Sequence, residues 1–290
     1  MTTKRFGGVG AVHWPQLVLL MALPLWWSWT QTWSAMASIG LWLLVNLVVL
    51  AFAERLQPHR DDWHPTAAHL RRDGGVFALN TIADGLATLL LAAAAVALSF
   101  ADNAWPLWVQ IAIALPLAEL GSYWMHRWSH GDNPLWRAHL LHHRPERVNV
   151  ANAMTAHPVN AVYDKLARFA PMTVLGFDEG AVLAVALFGL TQSLVAHANI
   201  AGGIGSLDYA IGSARLHRLH HSTREDEAGN FGTALPLWDQ LFGTYRRGGS
   251  PAAVGVFEPR RYPGELDLRA LLQWPFVCGL CRRLAACCRA

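Results

Sequence analysis

Nine histidines between positions 126 and 221 have the spacing of metal ligands. Imidazole is the commonest metal-binding side chain near neutral pH, because one ring nitrogen is then largely unprotonated. In the motifs HLLHH and HRLHH, the first histidine lies three and four residues before an adjacent pair. On a helix it shares a face with both, whereas the adjacent two diverge by about 100°, so one helix can serve two metal ions. The nine are His126, His130, His139, His142, His143, His197, His217, His220 and His221.

The remaining histidines of the nine lie at the ends of apolar segments. His126 and His130 are four residues apart, and a continuous helix would place both on one face. His197 ends a later apolar segment, where it could close the site against the membrane. Structural zinc sites normally use four ligands with cysteine prominent, and soluble di-iron bundles use Glu-x-x-His pairs that are absent here. Imidazole nitrogen suits iron, copper and zinc alike, so the spacing predicts two transition metals without choosing among them.

The composition indicates a membrane protein. Of the 290 residues, 53% are hydrophobic and 15% are charged, against about 25% charged in soluble domains. Each of four apolar segments is long enough to cross a bilayer. The first could instead be a signal peptide, but its length and the absence of an obvious cleavage site favour a span. The four predicted spans are 11–29, 35–53, 76–100 and 105–124.

A further apolar region predicts a helical hairpin. Residues 166–176 and 180–197 are separated by FDEG, a charged and turn-prone break. Because the first half is too short to span alone, we expect a hairpin that enters, shallowly, from the cytoplasmic side. We therefore predict an all-α integral membrane protein with about four transmembrane helices, this hairpin, and a cytoplasmic helical cap that carries the histidine-rich di-metal site.

The basic residues predict the orientation. With this topology every Lys and Arg falls on one side, and the opposite links carry Asp102, Asp178 and Glu179. The positive-inside rule makes the basic side cytoplasmic, and the nine histidines lie on it. We expect a multi-pass protein of the inner membrane whose active site faces the cytoplasm. The net charge of +3 suits anionic headgroups and does not indicate nucleic acid.

A few polar residues outside the nine have open roles. Glu119 lies seven residues before His126, so it could orient a ligand histidine or make a helix-packing hydrogen bond. His157 is either a ligand, the partner of a ligand, or neither. Asp84 has no assigned role. Four histidines outside the cluster are expected to be structural: His13, His59, His64 and His69.

The cysteines are confined to the last 13 residues, among several arginines. A C-x-x-C pair is half of a zinc site, and the other half is absent from the sequence. We expect reduced thiols in an interfacial tail. These cysteines are Cys278, Cys281, Cys287 and Cys288.

The motifs together match a known family pattern. H-x3-H, H-x2-HH and H-x2-HH occur in order, within YWMHRWSH, LWRAHLLHH and RLHRLHHS, and HANI precedes the last. The segment NFGTALPLWDQLFGTY fits the family's WD-x-x-FGT ending, with Trp238, Asp239, Phe242, Gly243 and Thr244. From about Asp84 to Tyr245 the chain resembles the fatty acid hydroxylase / sterol desaturase superfamily of membrane di-iron enzymes, in its bacterial sterol desaturase branch.

The resemblance implies a chemistry and a ligand set. Members use two irons and O2 to hydroxylate or desaturate an unactivated C–H bond of a lipid, and the ligands here would be the same nine histidines. Zinc could replace iron in purified protein. Some relatives have a tenth histidine where this chain has Ala201, so one ligand is missing or is supplied by water, Asn199 or His157. The family often has Asp in place of Glu119, and an acid in place of Asn160.

The sequence also limits the partners. No Gly-rich dinucleotide motif or iron–sulfur cysteine pattern is present, so electrons must come from a separate ferredoxin, cytochrome or reductase. The substrate could be a sterol, a fatty acyl chain or a related lipid. A membrane zinc hydrolase is disfavoured because H-E-x-x-H is absent, and a metal-binding carrier because its ligands should lie near the bilayer midplane. We divide the chain into an N-terminal transmembrane region (1–104), a catalytic region (105–247) and a C-terminal tail (248–290).

Overall fold

The described part of the chain is helical. The computed structural model describes residues 13–98, 104–131 and 133–281, with side chains as far as Val277. These residues include two isolated β-bridges, Pro58 with Ile200 and Ser222 with Val254, and no strand. The α-helices within them are α1 (Trp14–Trp29), α2 (Ala35–Leu56), α3 (Ala67–Leu98), α4 (Leu107–Ser129), α5 (Pro134–His143), α6 (Pro158–Val174), α7 (Glu179–His197), α8 (Ala214–His220), α9 (Leu237–Leu241) and α10 (Leu268–Cys281).

Helices of membrane length confirm the predicted fold class. Among the described residues α2, α3 and α7 are long and apolar enough to cross a bilayer. The 16 residues of α1 correspond to the first predicted span, and α4 corresponds to the fourth. α3 has 32 residues and starts nine residues before the predicted span. At 1.5 Å per residue it is about 48 Å long, so it continues beyond the roughly 30 Å hydrocarbon core. The chain is a multi-pass membrane protein.

The helices α4, α6 and α7 form the centre of the bundle. α6 packs against both α3 and α4, and α7 packs against α4, α2 and α1. At the start of α4, Gln110 donates a hydrogen bond to Asp178, which precedes α7 (2.6 Å). At the other end, His126 and His197 both lie beside the cap. α4 and α7 therefore run side by side in the same direction, and α6 runs back along α3 and α4.

The α6–α7 hairpin is deeper than the sequence predicted. α6 begins at Pro158, eight residues before the expected 166, and extends for 17 residues. Its turn lies at the level of the first residues of α4, because Trp27 on α1 donates to the carbonyl of Gly180 (3.0 Å) and Gln110 contacts Asp178. The expectation of a shallow hairpin rested on a first half that was too short to span alone, and α6 is longer than that segment because it starts at Pro158.

Ion pairs between helices allow α6 to carry its charges. Lys165 donates to Asp84 on α3 (2.6 Å), and Arg168 pairs with the buried Glu119 on α4. A charge inside a membrane bundle normally has such a partner. Close helix packing brings these groups together: a Cβ on Gly121 would lie 2.1 Å from the backbone carbonyl of Ala167. Asp84, which had no assigned role, is thus a partner of α6.

The cap is formed by the short helices and by the ends of the long ones. α10 packs on α5, where Leu271 contacts Val76 and Leu141. His157 caps α6 and its Nε2 donates to the carbonyl of Leu272 on α10 (3.0 Å). The prediction for the tail cysteines falls on Cys287 and Cys288, which lie outside the described residues, and on Cys278 and Cys281, whose side chains do as well.

Candidate metal centre

The structure brings all nine histidines together in two adjacent groups. In each group the candidate ligand nitrogens lie within 4.8 Å of one another. The first group contains His126, His130, His139, His143 and His220, and the second contains His142, His197, His217 and His221. In each pair of consecutive histidines, 142–143 and 220–221, one residue belongs to the first group and the other to the second. The expectation that α5 and α8 each serve two neighbouring sites therefore matches the geometry.

Five of these rings are held by a hydrogen bond from Nδ1. His126 donates to the carbonyl of Phe231 (2.7 Å), and His220 to that of Gly229 (2.7 Å). In the same way His142 donates to the carbonyl of Thr155 (3.1 Å) and His197 to that of Ser193 (3.0 Å). His139 donates instead to the side-chain oxygen of Asn160 (2.7 Å). In a neutral imidazole whose Nδ1 carries the proton, Nε2 is an unprotonated lone pair.

The Nε2 atoms that result face one another. Nε2 of His142 lies 3.3 Å from Nε2 of His197, and both of their Nδ1 protons are already engaged. Two lone pairs cannot form a hydrogen bond, so this arrangement is satisfied by a cation between them. Nitrogens that each lie about 2.0–2.1 Å from one metal ion are roughly 3.0–3.4 Å apart, which matches this contact. The donor set therefore fits a metal ion.

The first group shows the same deficit. Nε2 of His143 lies 3.0 Å from that of His139 and 3.2 Å from that of His220. The buried Nε2 atoms of His126 and His130 have no hydrogen-bond partner among the described residues. Buried polar atoms are normally paired. Five ligand nitrogens in one small volume, two of them without a partner, are the arrangement that a metal ion would complete.

Burial keeps the cap histidines in the neutral, metal-binding form. It lowers the pKa of six of them well below the usual value, and the neighbouring histidines add to this effect. A metal ligand must be deprotonated, so a proton competes weakly for these nitrogens at neutral pH. The six are His139, His142, His143, His217, His220 and His221.

One residue with left-handed backbone positions two rings of the first group. Asn230 has φ 54°, and the carbonyls on either side of it, those of Gly229 and Phe231, accept from His220 and His126. Asn tolerates this conformation better than most residues. Its side chain fixes the turn by donating to the carbonyls of Leu216 (3.1 Å) and Arg246 (2.9 Å). The turn therefore orients a helix-α4 ligand and a helix-α8 ligand together.

Two buried charged residues support the second group. Oε1 of Glu54, at the end of α2, accepts from the backbone N–H groups of Val150 and Asn199, at 2.7 Å each. Asn199 lies two residues after His197. Arg218, on α8, donates to the carbonyls of Ala198 (3.3 Å) and Ile200 (3.4 Å). These contacts fix the segment after α7 against the rest of the cap.

Neither proposed substitute for a tenth ligand belongs to a group. Ala201 is buried and pairs through its backbone with Gln57. Asn199 accepts from the backbone N–H of Arg60 (3.0 Å) and donates to its carbonyl (2.8 Å), so its side chain is already engaged. Both ring nitrogens of His157 are also engaged, by Val159 and Leu272. Water stays as the open alternative for the missing ligand.

The other residues considered from the sequence lie outside the groups. Glu119 contacts Arg168 and accepts from the backbone N–H groups of Ala234 (3.1 Å) and Leu235 (3.3 Å), so its role is packing. It touches no ligand histidine. The four histidines expected to be structural, His13, His59, His64 and His69, are absent from both groups. His69, for example, pairs with Thr66 and Glu265.

Similarity to known proteins identifies the family. Residues 111–244 match the family model described as fatty acid hydroxylase. The chain is 30% identical over 226 residues to an ornithine lipid hydroxylase, OlsE, of Rhizobium tropici, covering 73% of this chain and 68% of that protein. The chain belongs to the fatty acid hydroxylase superfamily. The resemblance inferred from the motifs is confirmed.

More distant members of the superfamily share shorter regions. An alkylglycerol monooxygenase of Danio rerio is 28% identical over 162 residues, which cover 54% of this chain and 34% of that protein. A Delta(7)-sterol-C5(6)-desaturase of Nicotiana tabacum is 24% identical over 143 residues, which cover 48% of this chain and 50% of that protein. The chain thus spans about a third of the first of these and half of the second. No solved structure matches the chain.

Membership places this chain among lipid-modifying oxidoreductases of the membrane. The names of the fatty acid hydroxylase relatives describe hydroxylases, monooxygenases and desaturases. The family match covers the region from α4 to Thr244, which contains all nine histidines. Glu54, which supports the second group, lies outside that match and was not singled out from the sequence. The sequence signal that could have revealed it is an acidic residue directly after the apolar segment 35–53.

Proposed function

We propose that this fatty acid hydroxylase family member is an O2-dependent di-iron enzyme that hydroxylates or desaturates a C–H bond of a membrane lipid. The observation that carries the proposal is the contact between His142 and His197, whose Nε2 lone pairs face each other while both Nδ1 protons are engaged. A metal cation would accept both lone pairs, and the close Nε2 atoms of the first group support a second such site. The relatives' names support a lipid as the substrate class.

The ligands of the two irons would be the nine histidines, five in the first group and four in the second. Iron at this centre would supply the activation of O2 and the oxidation of the C–H bond. A site made only of imidazole has no cysteine that a strong oxidant would attack. With four protein ligands against five, the second group leaves more room for water or a substrate atom.

The chain's own contribution is to orient the ligands and to exclude water. Carbonyl acceptors hold the Nδ1 protons, so that Nε2 stays free and each ring keeps one orientation. Of the five partners, four are backbone carbonyls and the fifth is the side-chain oxygen of the buried Asn160. His126, His130 and His142 are less buried than the other ligands.

The orientation and partners are also part of the proposal. Basic residues near the cap support a cytoplasmic active site in the inner membrane. Electrons would come from a separate ferredoxin, cytochrome or reductase, and the lipid, a sterol, fatty acyl chain or related lipid, would reach the site from the bilayer. The catalytic region would be 105–247, which contains the family match and the nine histidines, between the N-terminal spans and the tail.

Metal content and oxygen dependence test the proposal together. We expect purified protein to contain about two irons per chain, one for each ligand group, and to convert a lipid extract only with O2 and a reductant. His142→Ala and His220→Ala remove one ligand from each group, and both should lower the metal content and abolish product. His64→Ala is the matched control outside both groups.

Three results would contradict the proposal. Retained product formation in both ligand variants would show that the groups are not the catalytic centre. Product formation without O2, in protein that contains zinc, would favour the non-redox zinc hydrolase. Metal transport into vesicles without lipid conversion would favour a metal-binding carrier.

A further inference from the structure

An exposed apolar surface lies beside α4 and is formed by two separate segments of the cap. The first segment is the 3₁₀ turn Gly205–Tyr209, and the second is α9 with the residue that follows it. Gln240 joins them by donating to the carbonyl of Tyr209 (2.7 Å). We call this surface the apolar rim, and its exposed side chains are those of Leu207, Tyr209, Leu237, Leu241 and Phe242.

The apolar rim lies below the histidines along the axis of α4. The segment that leads to it starts at Phe231, whose carbonyl accepts from His126. It continues past Glu119, which accepts from Ala234 and Leu235. Trp238 then donates its indole N–H to the carbonyl of Pro116 (3.0 Å). Ten residues separate Pro116 from His126, which corresponds to about 15 Å along the helix.

Contacts with α7 also place the rim below the histidines. Gln192 on α7, a helix of membrane length, lies five residues before His197 and donates to the carbonyl of Gly212 (3.0 Å). The backbone N–H of Gly212 donates to the carbonyl of Ala234 (2.9 Å). Both supporting segments are therefore packed against bundle helices at a level below the metal-binding groups. The rim is exposed at that level, not on the top of the cap.

Aromatic and basic residues lie next to the rim. Phe242 packs against Trp124 (ring centroids 5.0 Å), which in turn contacts Trp128 (5.6 Å). Tryptophan is enriched where membrane proteins cross the headgroup region. Arg247 lies over the ring of Tyr209 (4.8 Å), and both Arg246 and Arg247 are exposed. Arginines beside an apolar surface complement the anionic phosphates of lipids.

We propose that the apolar rim inserts into the leaflet next to the histidine groups and contacts lipid acyl chains. Leu241 is 64% exposed and Leu237 is 47% exposed, so these two side chains would offer the largest exposed fractions of the rim to the acyl chains. The cap would then rest in the bilayer and not only above it. Since the segment that forms the rim begins at Phe231, the surrounding lipid would help to fix the carbonyl that holds His126. The proposal does not depend on which reaction the metal centre performs.

Spin-label accessibility measures the depth directly. All four cysteines lie in the tail, so replacing them by serine gives a background for single labels. Leu241→Cys and, independently, Leu237→Cys would carry a nitroxide in the full-length protein, in vesicles of phosphatidylcholine and phosphatidylglycerol. Leu44→Cys, on the exposed face of α2, is the acyl-chain reference. Glu225→Cys, in an exposed charged turn, is the water reference.

The two collision reagents distinguish the outcomes. O2 concentrates in the hydrocarbon and the neutral nickel chelate Ni-EDDA stays in water. We expect nickel accessibility at 241 to be several-fold lower than at 225, and the O2-to-nickel ratio to lie nearer to that of 44. A ratio nearer to that of 225 at both rim positions would overturn the proposal and would leave a soluble partner as the occupant of this surface. If Leu241→Cys does not fold, Leu237→Cys decides.

Discussion

Removing the side chain of Glu54 should weaken the second histidine group more than the first. Its Oε1 accepts two buried backbone N–H groups, those of Val150 and Asn199, at 2.7 Å each. Val150 begins the turn that leads to Thr155, whose carbonyl holds His142, and Asn199 closely follows His197. Both segments belong to the ligands that form the contact at 3.3 Å. The carboxyl group therefore fixes two ligands of the same group from outside the family match.

The magnitude follows from the two hydrogen bonds. A buried donor left without an acceptor costs about 1–3 kcal/mol, so Glu54→Ala should destabilise the protein by about 2–6 kcal/mol. Loss of a group that orients metal ligands typically lowers metal affinity by about 10–100-fold. Glu54→Gln keeps one carbonyl oxygen in the same place, so it should recover most of both losses.

The assay compares stability and metal content in detergent. Denaturant unfolding gives the free energy, and elemental analysis after dialysis against a weak chelator gives the metal bound per chain. Glu179→Gln and Glu179→Ala, in the exposed first turn of α7, are the matched controls. The reasoning fails if Glu54→Ala retains both metal ions and full stability. It also fails if Glu54→Gln is as damaging as Glu54→Ala, since the acceptor oxygen would then be irrelevant.

Three further changes test separate parts of the structure. Gly121→Ala places a Cβ 2.1 Å from a backbone carbonyl of α6, so it should lower the free energy of unfolding by about 1–3 kcal/mol. Gly85→Ala, where the added Cβ meets open space, should leave it unchanged, and denaturant unfolding in detergent would measure both. Asn160→Ala removes the acceptor that holds His139 and should lower metal affinity by about 10–100-fold in a competition titration, and unchanged affinity would contradict the assigned role. Burial and two nearby arginines lower the pKa of His59 from 6.5 to about 3, so only the unfolded chain accepts its proton between these values. Stability should therefore fall as the pH drops below about 6.5, and less steeply in His59→Gln, as thermal unfolding at two pH values would reveal.

Local periodicity was sufficient to predict that the two members of each adjacent histidine pair face different groups. His142 and His143 lie about 100° apart on a helix, and that angle sends them to different groups whatever the rest of the fold does. The groups that orient the ligand rings could not be predicted, because local periodicity says nothing about them. The acceptors for His126, His142, His197 and His220 are backbone carbonyls, which every residue has, so no side-chain pattern marks them.

The depth of the hairpin could not be predicted because its charges have distant partners. From the sequence alone, the first half of the hairpin was limited to 166–176, which starts directly after Lys165 and contains Arg168. Their partners Asp84 and Glu119 lie 81 and 49 residues away, on two other helices. Once each charge is paired, the helix can continue among its neighbours. The same pairing explains why Glu119 packs helices together and does not orient a histidine.

The two adjacent histidine pairs have a consequence for how the centre fills. The ring centroids of His142 and His143 are 5.3 Å apart, and those of His220 and His221 are 5.4 Å apart. Because each pair consists of neighbouring residues, the backbone fixes the distance between the two groups at two places. An ion bound in one group immobilises α5 and α8, and with them two ligands of the other group. The conformational cost of ordering those ligands is then met before the second ion arrives, so the second ion should bind more tightly than the first. Titration of the metal-free protein should consequently pass from empty to fully loaded chains with few singly loaded ones.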